Sequence, residues 1–474
     1  MKKICIVGGG TAGLVTALIL KTRFSSLQID IIKSDKIGII GVGEGSTEHW
    51  KEFTDFTGIA IKELIKETDA TFKGGIMFED WTKQPYYHSI ISSISDIKFG
   101  QYQAGYAYSI INNLKPKEYT SKDSWNNKIK DNDLPYQFHF NTFKLNNFLL
   151  KKCKEKNINI YEDEITKVNI KKGNIESIES QSKKYKHDFY IDSTGFKRLL
   201  ISKLGAKWKS YSKYLPMNEA IAFPTPDTDE YAPYTLAKAM SSGWLWRIPT
   251  QGRWGNGYVF DNRYINAEQA KKECEKYLGH KIEVGKNIKF EAGALDRAWI
   301  SNCVATGLSS SFIEPLEASS IGTSIQQAFM LIHFIINYKE TDIELYNTRF
   351  KCIIENIRDF VLLHYLTGKK DSKFWKEFKP NLPESLKKNL QKWKHRLPIE
   401  EDFPGGYQLF NQPNFAILLK ELNLVDKKSI KKEYDSLSDD FKKYTKNRIK
   451  KYNEFYKDTN TLGHKQFLQS FYYK

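Results

Sequence analysis

The apolar positions of the chain first cluster at Ile4–Val7, a short unbroken run inside KKICIVGGGTAGLVTALILK. A run of this length bounded by glycines reads as a buried strand, and the apolar residues after Gly13 recur with helical period. The same strand-then-turn punctuation returns twice. HDFYIDSTGFKRLL is a strand ending at Asp192 with a turn through Gly195. WISNCVATGLSSSFIEPLEASSIGTS is a strand, a turn at Gly307 and a helix start. Between them EAIAFP, SSGWLWRIPTQ and GYVF predict a β-rich insertion over about 205–265. In a strand Trp244 and Trp246 share one face, and Pro249 is expected to close that strand. From about 324 onward the pattern is helical and lysine-rich. There the mixed-sign charges of 426–458 predict a solvated helix.

Gly8-x-Gly10-x-x-Gly13 has a chemical reading. Glycines at this spacing allow a tight turn and a close backbone approach to a pyrophosphate, and the helix start at Thr11 and Ala12 then faces the anion. The acidic residue expected about 20 positions later, for a ribose hydroxyl, is displaced: Lys33 stands there and Asp35 follows two residues on. One early turn with two returning strand–glycine turns is the layout of a flavoprotein with a single FAD, whereas a nicotinamide dehydrogenase keeps its cofactor site more compact. The expected fold class is therefore α/β with α+β elements, a single-FAD Rossmann-type flavoprotein. Residues 1–340 are read as a discontinuous FAD module around the insertion, and 341–474 as a helical substrate-side region. Gly8, Gly10, Thr11, Ala12, Gly13, Asp192, Gly195 and Gly307 are its cofactor candidates.

A chain that is 40% hydrophobic and 14% aromatic is not disordered. The net charge of +17 raises the question of nucleic acid, but only ten of the 73 basic residues are arginine. Specific readers of bases and phosphates lean on arginine's planar fork. The lysine excess therefore reads as a solvated surface that attracts anionic small molecules. Five well-separated cysteines without a C-x-x-C pair argue against a disulfide framework or zinc site, and for a reducing compartment. No stretch approaches the ~18 uninterrupted apolar residues of a membrane span. The expectation is a soluble, cytoplasmic protein with no metal, nucleic-acid or membrane partner.

Several segments together resemble one family, the flavin-dependent halogenases of the tryptophan-halogenase type, from the N-terminus to about Trp393. GWLWRIP, Gly243 to Pro249, is similar to their W-x-W-x-I-P signature. IGVGEGST resembles their flavin-lining segment, with Gly41, Val42, Gly43 and Glu44 as the matching residues. ATFKGGIMFEDW resembles the segment of their catalytic lysine, matched by Lys73, and FIEPLEAS that of their catalytic glutamate, matched by Glu317. IRDFVLLHYLTGKKDSKFW looks like their late helix ending in Asp-Ser-x-Phe-Trp.

The resemblance implies a fold like that of flavin monooxygenases and a two-component enzyme. A separate flavin reductase supplies reduced FAD, which with oxygen and halide gives hypohalous acid. Lys73 and Glu317 then direct this oxidant to an electron-rich small aromatic of indole or phenol type. A lysine set among apolar neighbours has a tunable pKa and three donors, which suits it to a hypohalite oxygen. The resemblance also implies a halide ion held by backbone amides at Ser319 and Ser320. Here Ala318 and Ser320 replace the serine and glycine of many members. PYYHSI resembles the segment whose histidine and following aromatic sandwich an indole. His88 matches, but Ile90 takes the aromatic's place, and losing a stacking face weakens binding by about 1 kcal/mol. Trp244 and Trp246 become a flavin-side wall with halide-sized access. A homo-oligomer is expected. Two other readings remain: a flavin-dependent aromatic monooxygenase that hydroxylates its substrate, and a non-catalytic flavin-binding sensor. Neither needs the Lys73–Glu317 pair.

Overall fold

The Ile4–Val7 run lies near the middle of a six-stranded sheet in the order Trp299–Ile300, Cys303–Ala305, Phe189–Asp192, Lys3–Val7, Gln28–Lys33, Asn159–Glu162. This is a computed structural model, and it describes residues 1–39, 44–89, 101–114, 137–455 and 463–472. Gly41, Val42, Gly43 and Ile90 lie outside the described residues, and only the backbone of Glu44 is described. Five strands of the sheet run parallel, and the Trp299–Ile300 edge is antiparallel. Ile4, Ile6, Ile29, Ile31, Phe189 and Ile191 are fully buried, as parallel strands covered on both faces demand. The register sets Val7 beside Asp192 and Asp192 beside Ala305. The three glycine turns therefore leave the sheet together at its carboxyl edge, where doubly wound sheets take their ligands.

The β-rich insertion is wider than the sequence predicts. Its strands Glu219–Pro226, Thr235–Met240, Gly243–Thr250 and Arg253–Phe260 form the centre of a seven-stranded sheet, which Lys286–Lys289 joins at one end. At the other end stand Gly75–Glu79, parallel to Thr235–Met240, and then Tyr86–Ser89. Pro249 does not close its strand, which runs on to Thr250. Pairing with Thr235–Met240 ends at Arg247, so Pro249 has a strand neighbour on one side only, and a residue lacking an N–H fits there.

Trp244 and Trp246 are both buried, with ring centroids 6.2 Å apart and planes tilted by 55°. The tip of Trp246 covers Gly257, where a Cβ would lie 2.0 Å from the indole. The Asp-Ser-x-Phe-Trp segment fastens the start of this strand: Trp375 Nε1–H donates to Met240 O over 2.8 Å, and the Ser372 hydroxyl donates to Ser241 O.

A small sheet, Glu44–Gly45, Gln137–Phe140 and Thr71–Lys73, carries Lys73 opposite Gln137. Two residues later, at Gly75, the chain enters the seven-stranded sheet, so Lys73 sits at the junction of the two. The C-terminal part is helical as expected. The 25-residue helix Glu340–His364 ends at His364, and Gln412–Glu421 packs against it and against Tyr86–Ser89. The charged stretch forms two helices, Lys427–Asp435 and Asp439–Phe455, with Ile430 and Tyr434 turned inward. Among the described residues no helix is long and apolar enough to cross a membrane.

Candidate active site

The three glycine turns interlock. Gly8 has φ +114°, and a Cβ there would come within 2.1 Å of Ser193 O. Gly307 has φ +61°, and its Cβ would meet Ala12 at 2.5 Å. Nothing lies within 4 Å of the Cβ position at Gly10, so the start of the Thr11–Arg23 helix is open to a ligand. Such a start, with unpaired backbone N–H groups and room for close approach, fits a pyrophosphate.

Asp192 shapes the second turn from inside. Its Oδ1 accepts from the Thr194 hydroxyl over 2.7 Å and from the Ser309 hydroxyl over 3.1 Å. Its Oδ2 accepts from the backbone N–H of Leu200 and Ile201 over 2.8 and 2.9 Å. Ser309 Oγ also lies 3.1 Å from Gly195 O, tying the second turn to the third. At the end of the second strand Lys33 pairs with Asp35 and, over 2.9 Å, with Glu162, an acidic residue from the neighbouring strand. A small cavity lined by Gly307, Ser319, Ser320, Thr323, Ile354 and Ile357 adjoins the third turn. Ser319 opens the Ser319–Leu331 helix directly after Ala318, which has φ +52°.

Lys73 is fully buried, and its ammonium donates to Ser46 O over 2.8 Å. Burial drives its pKa down to about 8, against the opposing pull of Glu317 and Glu48. Gly45 lies between the ammonium and the Glu317 turn. A Cβ on Gly45 would lie 3.5 Å from Lys73 Nζ and 3.4 Å from Ala318 Cβ. Behind Lys73, His139 is held neutral far below its ordinary range, first by burial and then by the lysine charge.

Glu317 ends the short 3-10 turn Pro315–Glu317 and is 3% exposed. Its Oε2 lies 2.8 Å from His88 Nδ1, and its Oε1 lies 2.9 Å from His364 Nε2, at ion-pair distance but off hydrogen-bond alignment. Burial pushes the carboxyl up, yet the two imidazoles outweigh it and hold the pKa at about 2. His364 is itself kept below its ordinary value by burial, and its Nδ1 lies 2.9 Å from the Tyr86 hydroxyl. A phenol donating to Nδ1 leaves the ring proton on Nε2, facing Glu317. The structure thus brings His88 together with Glu317, its ring beside Phe360 and Phe410 at centroid distances of 5.1 and 6.3 Å.

Two contributors, His364 and Asn414, escape a reading of the sequence. His364 sits in FVLLHYL, where a lone histidine on an apolar helix gives no signal of a partner. Asn414 reaches His88 Nε2 over 3.0 Å, across 326 residues of sequence. Glu314 competes with Glu317 for a role in FIEPLEAS, and the structure separates them. Glu314 Oε2 accepts from Trp244 Nε1–H over 3.3 Å and from the Tyr365 hydroxyl over 2.9 Å. Burial raises its pKa to about 7 despite those two donors. It therefore anchors the tryptophan strand, while Glu317 faces the histidines.

Known proteins resemble the chain along most of its length. Residues 3–436 match the family described as tryptophan halogenase. The tryptophan 6-halogenase of Streptomyces toxytricini is 28% identical, over 92% of this chain and 94% of its own. The tryptophan 7-halogenase of Lentzea aerocolonigenes is also 28% identical, over 89% and 90%. Among solved structures, a tryptophan halogenase from Shewanella frigidimarina shares the fold with a TM-score of 0.88 at 23% identity, covering 100% of this chain and 98% of that one. A flavin-dependent halogenase from Xanthomonas campestris gives 0.81 at 26% identity, over 99% and 98%.

Proposed function

The chain belongs to the tryptophan halogenase family, and from that premise we propose that it is a two-component FAD-dependent halogenase acting on an electron-rich small aromatic of indole or phenol type. FAD reduced by a separate reductase would supply, with oxygen and halide, the hypohalous acid. The Gly8–Gly13, Asp192–Gly195 and Gly307 turns would hold the cofactor, and the Ser319 and Ser320 amides a halide beside it. Gly41, Val42, Gly43 and Glu44 belong to the same reading through the resemblance of their segment.

The observation that carries the reading is Lys73: a buried ammonium, coupled to an anionic Glu317, at the meeting point of two sheets. Its role is to donate to the hypohalite oxygen and so polarise the halogen toward the ring. With a pKa of about 2, Glu317 is a weak base. Its contribution is a fixed negative charge that keeps Lys73 protonated and offsets positive charge developing on the substrate. His88 acts on Glu317 as well as lining the substrate side, where Ile90 stands in for an aromatic. Trp244 and Trp246 would bar the substrate from the flavin side.

The test is to incubate the enzyme with FAD, a flavin reductase, NADH, oxygen and each halide in turn, with a panel of indoles and phenols, and to follow products by mass. A halogenated product that disappears in Lys73→Ala, with FAD binding retained, is expected. Hydroxylation without any halide transfer would instead make the protein a monooxygenase.

A further inference from the structure

We propose that Asn414 is a positioning residue: it holds His88 as the imidazole with its single proton on Nδ1, and through it keeps Glu317 an uncompensated anion. The proposal rests on Glu317 serving the reaction proposed above. The donors can be followed atom by atom. Asn411 precedes the Gln412–Glu421 helix, and its backbone N–H donates to Asn414 Oδ1 over 2.7 Å. That bond settles which way the amide faces, because an amide nitrogen in its place would set donor against donor. Asn414 Nδ2 is thus the atom 3.0 Å from His88 Nε2. An amide nitrogen only donates, so Nε2 accepts, and the ring proton resides on Nδ1, 2.8 Å from Glu317 Oε2.

A second proton on His88 would point Nε2–H at the Asn414 N–H where both side chains are buried. From the other side Tyr86 arranges His364 in the same sense, with Nε2 toward Oε1. Glu317 therefore meets two N–H groups from neutral rings. An imidazolium at His88 would cancel, at close range, the charge that Glu317 directs at Lys73. Asn414 prevents this by leaving Nε2 no acceptor to which it could donate.

The variant that isolates this role is Asn414→Asp. It keeps the shape and an oxygen acceptor for Asn411 N–H, so the helix start is preserved. It differs in offering His88 Nε2 an anionic oxygen, which invites a second ring proton. The measurement is the ring nitrogen resonances of His88 in full-length enzyme labelled with 15N-histidine, at neutral pH, assigned by their loss in His88→Gln. The wild type is expected to show one ring proton, on Nδ1, and Asn414→Asp two. In steady-state assays Asn414→Asp is expected to lower kcat about tenfold or more, as wrong protonation of an active-site imidazole does, with FAD affinity unchanged. A purely structural Asn414 predicts that Asp is tolerated.

A doubly protonated or Nε2–H His88 in the wild type overturns the proposal. So does an Asn414→Asp variant with unaltered resonances and turnover. A wild type with the expected Nδ1–H ring but no halide transfer supports the positioning of His88 and removes the halogenase reading alone.

Discussion

An ammonium buried as deeply as that of Lys73 is expensive to keep charged, and the cost has a sign that can be measured. Its pKa falls from 10.5 to about 8 in the folded protein. The unfolded chain therefore binds the proton more tightly between those values, and folding stability drops as pH falls from 10.5 to 8 and stays reduced below. The penalty is about 3 kcal/mol at neutral pH. Lys73→Met removes it but strands the Ser46 carbonyl, at a cost of about 1–2 kcal/mol. The variant should thus unfold at higher temperature than the wild type at pH 7 and lose that advantage above pH 10.5, a reversal that thermal melts at the two pH values will show. Its halogenating activity should fall about a hundredfold or more. In the wild type the same titration should appear as a rate that declines as pH rises through about 8, because the donor is the protonated form.

At the scale of elements, the strand that carries Trp244 and Trp246 is held by neighbours distant in sequence. Ser372 accepts from Trp375 N–H at its own helix start and donates to Ser241 O. Ser372→Ala removes both bonds and should cost about 1–2 kcal/mol, with faster amide exchange concentrated in Met240–Trp246. Gly257→Ala tests the wall directly, since its Cβ would lie 2.0 Å from the Trp246 ring and must displace it. More hydrogen peroxide released per NADH consumed, or a hydroxylated product, is the expected outcome. Unchanged coupling would make the pair ordinary core. These elements also show what a sequence can disclose. Strand–glycine–helix turns are local, so Gly8–Gly13 and the Gly307 turn are legible where they stand. The face shared by the tryptophans follows from strand period alone. The extension of their sheet into Gly75–Glu79 is not legible, because parallel pairing with Thr235–Met240 depends on contacts far apart in the chain. Pro249 reads as a strand end only until the neighbouring strand is known to stop first. Asn414 meets His88 through a contact that no local pattern encodes.

At the scale of the whole molecule, the C-terminal helix closes on the strand of Lys73. His464 Nε2 accepts from Phe72 N–H over 3.1 Å, a bond spanning 392 residues, while Phe467 and Leu468 are buried and Lys465 pairs with Asp227 over 2.7 Å. The start of the His464–Tyr472 helix thus fixes the backbone one residue before the candidate catalytic ammonium. This arrangement requires a neutral imidazole, and burial, partly opposed by a backbone hydrogen bond at Tyr231, lowers the His464 pKa to about 4. The unfolded chain takes up that proton near pH 6.5 and the folded protein near 4. Stability attributable to this residue is therefore intact above 6.5 and is lost progressively as pH falls toward 4. Glutamine can replace both functions without titrating, because its oxygen accepts from Phe72 and its nitrogen donates toward Tyr231. His464→Gln should match the wild type in urea unfolding at pH 7 and exceed it at pH 4.5, by up to about 3 kcal/mol, since every other acid-sensitive group is common to both proteins. If the two curves stay superimposed at pH 4.5, the C-terminal helix does not report acid stress to the Lys73 strand, and the clasp is one of packing alone.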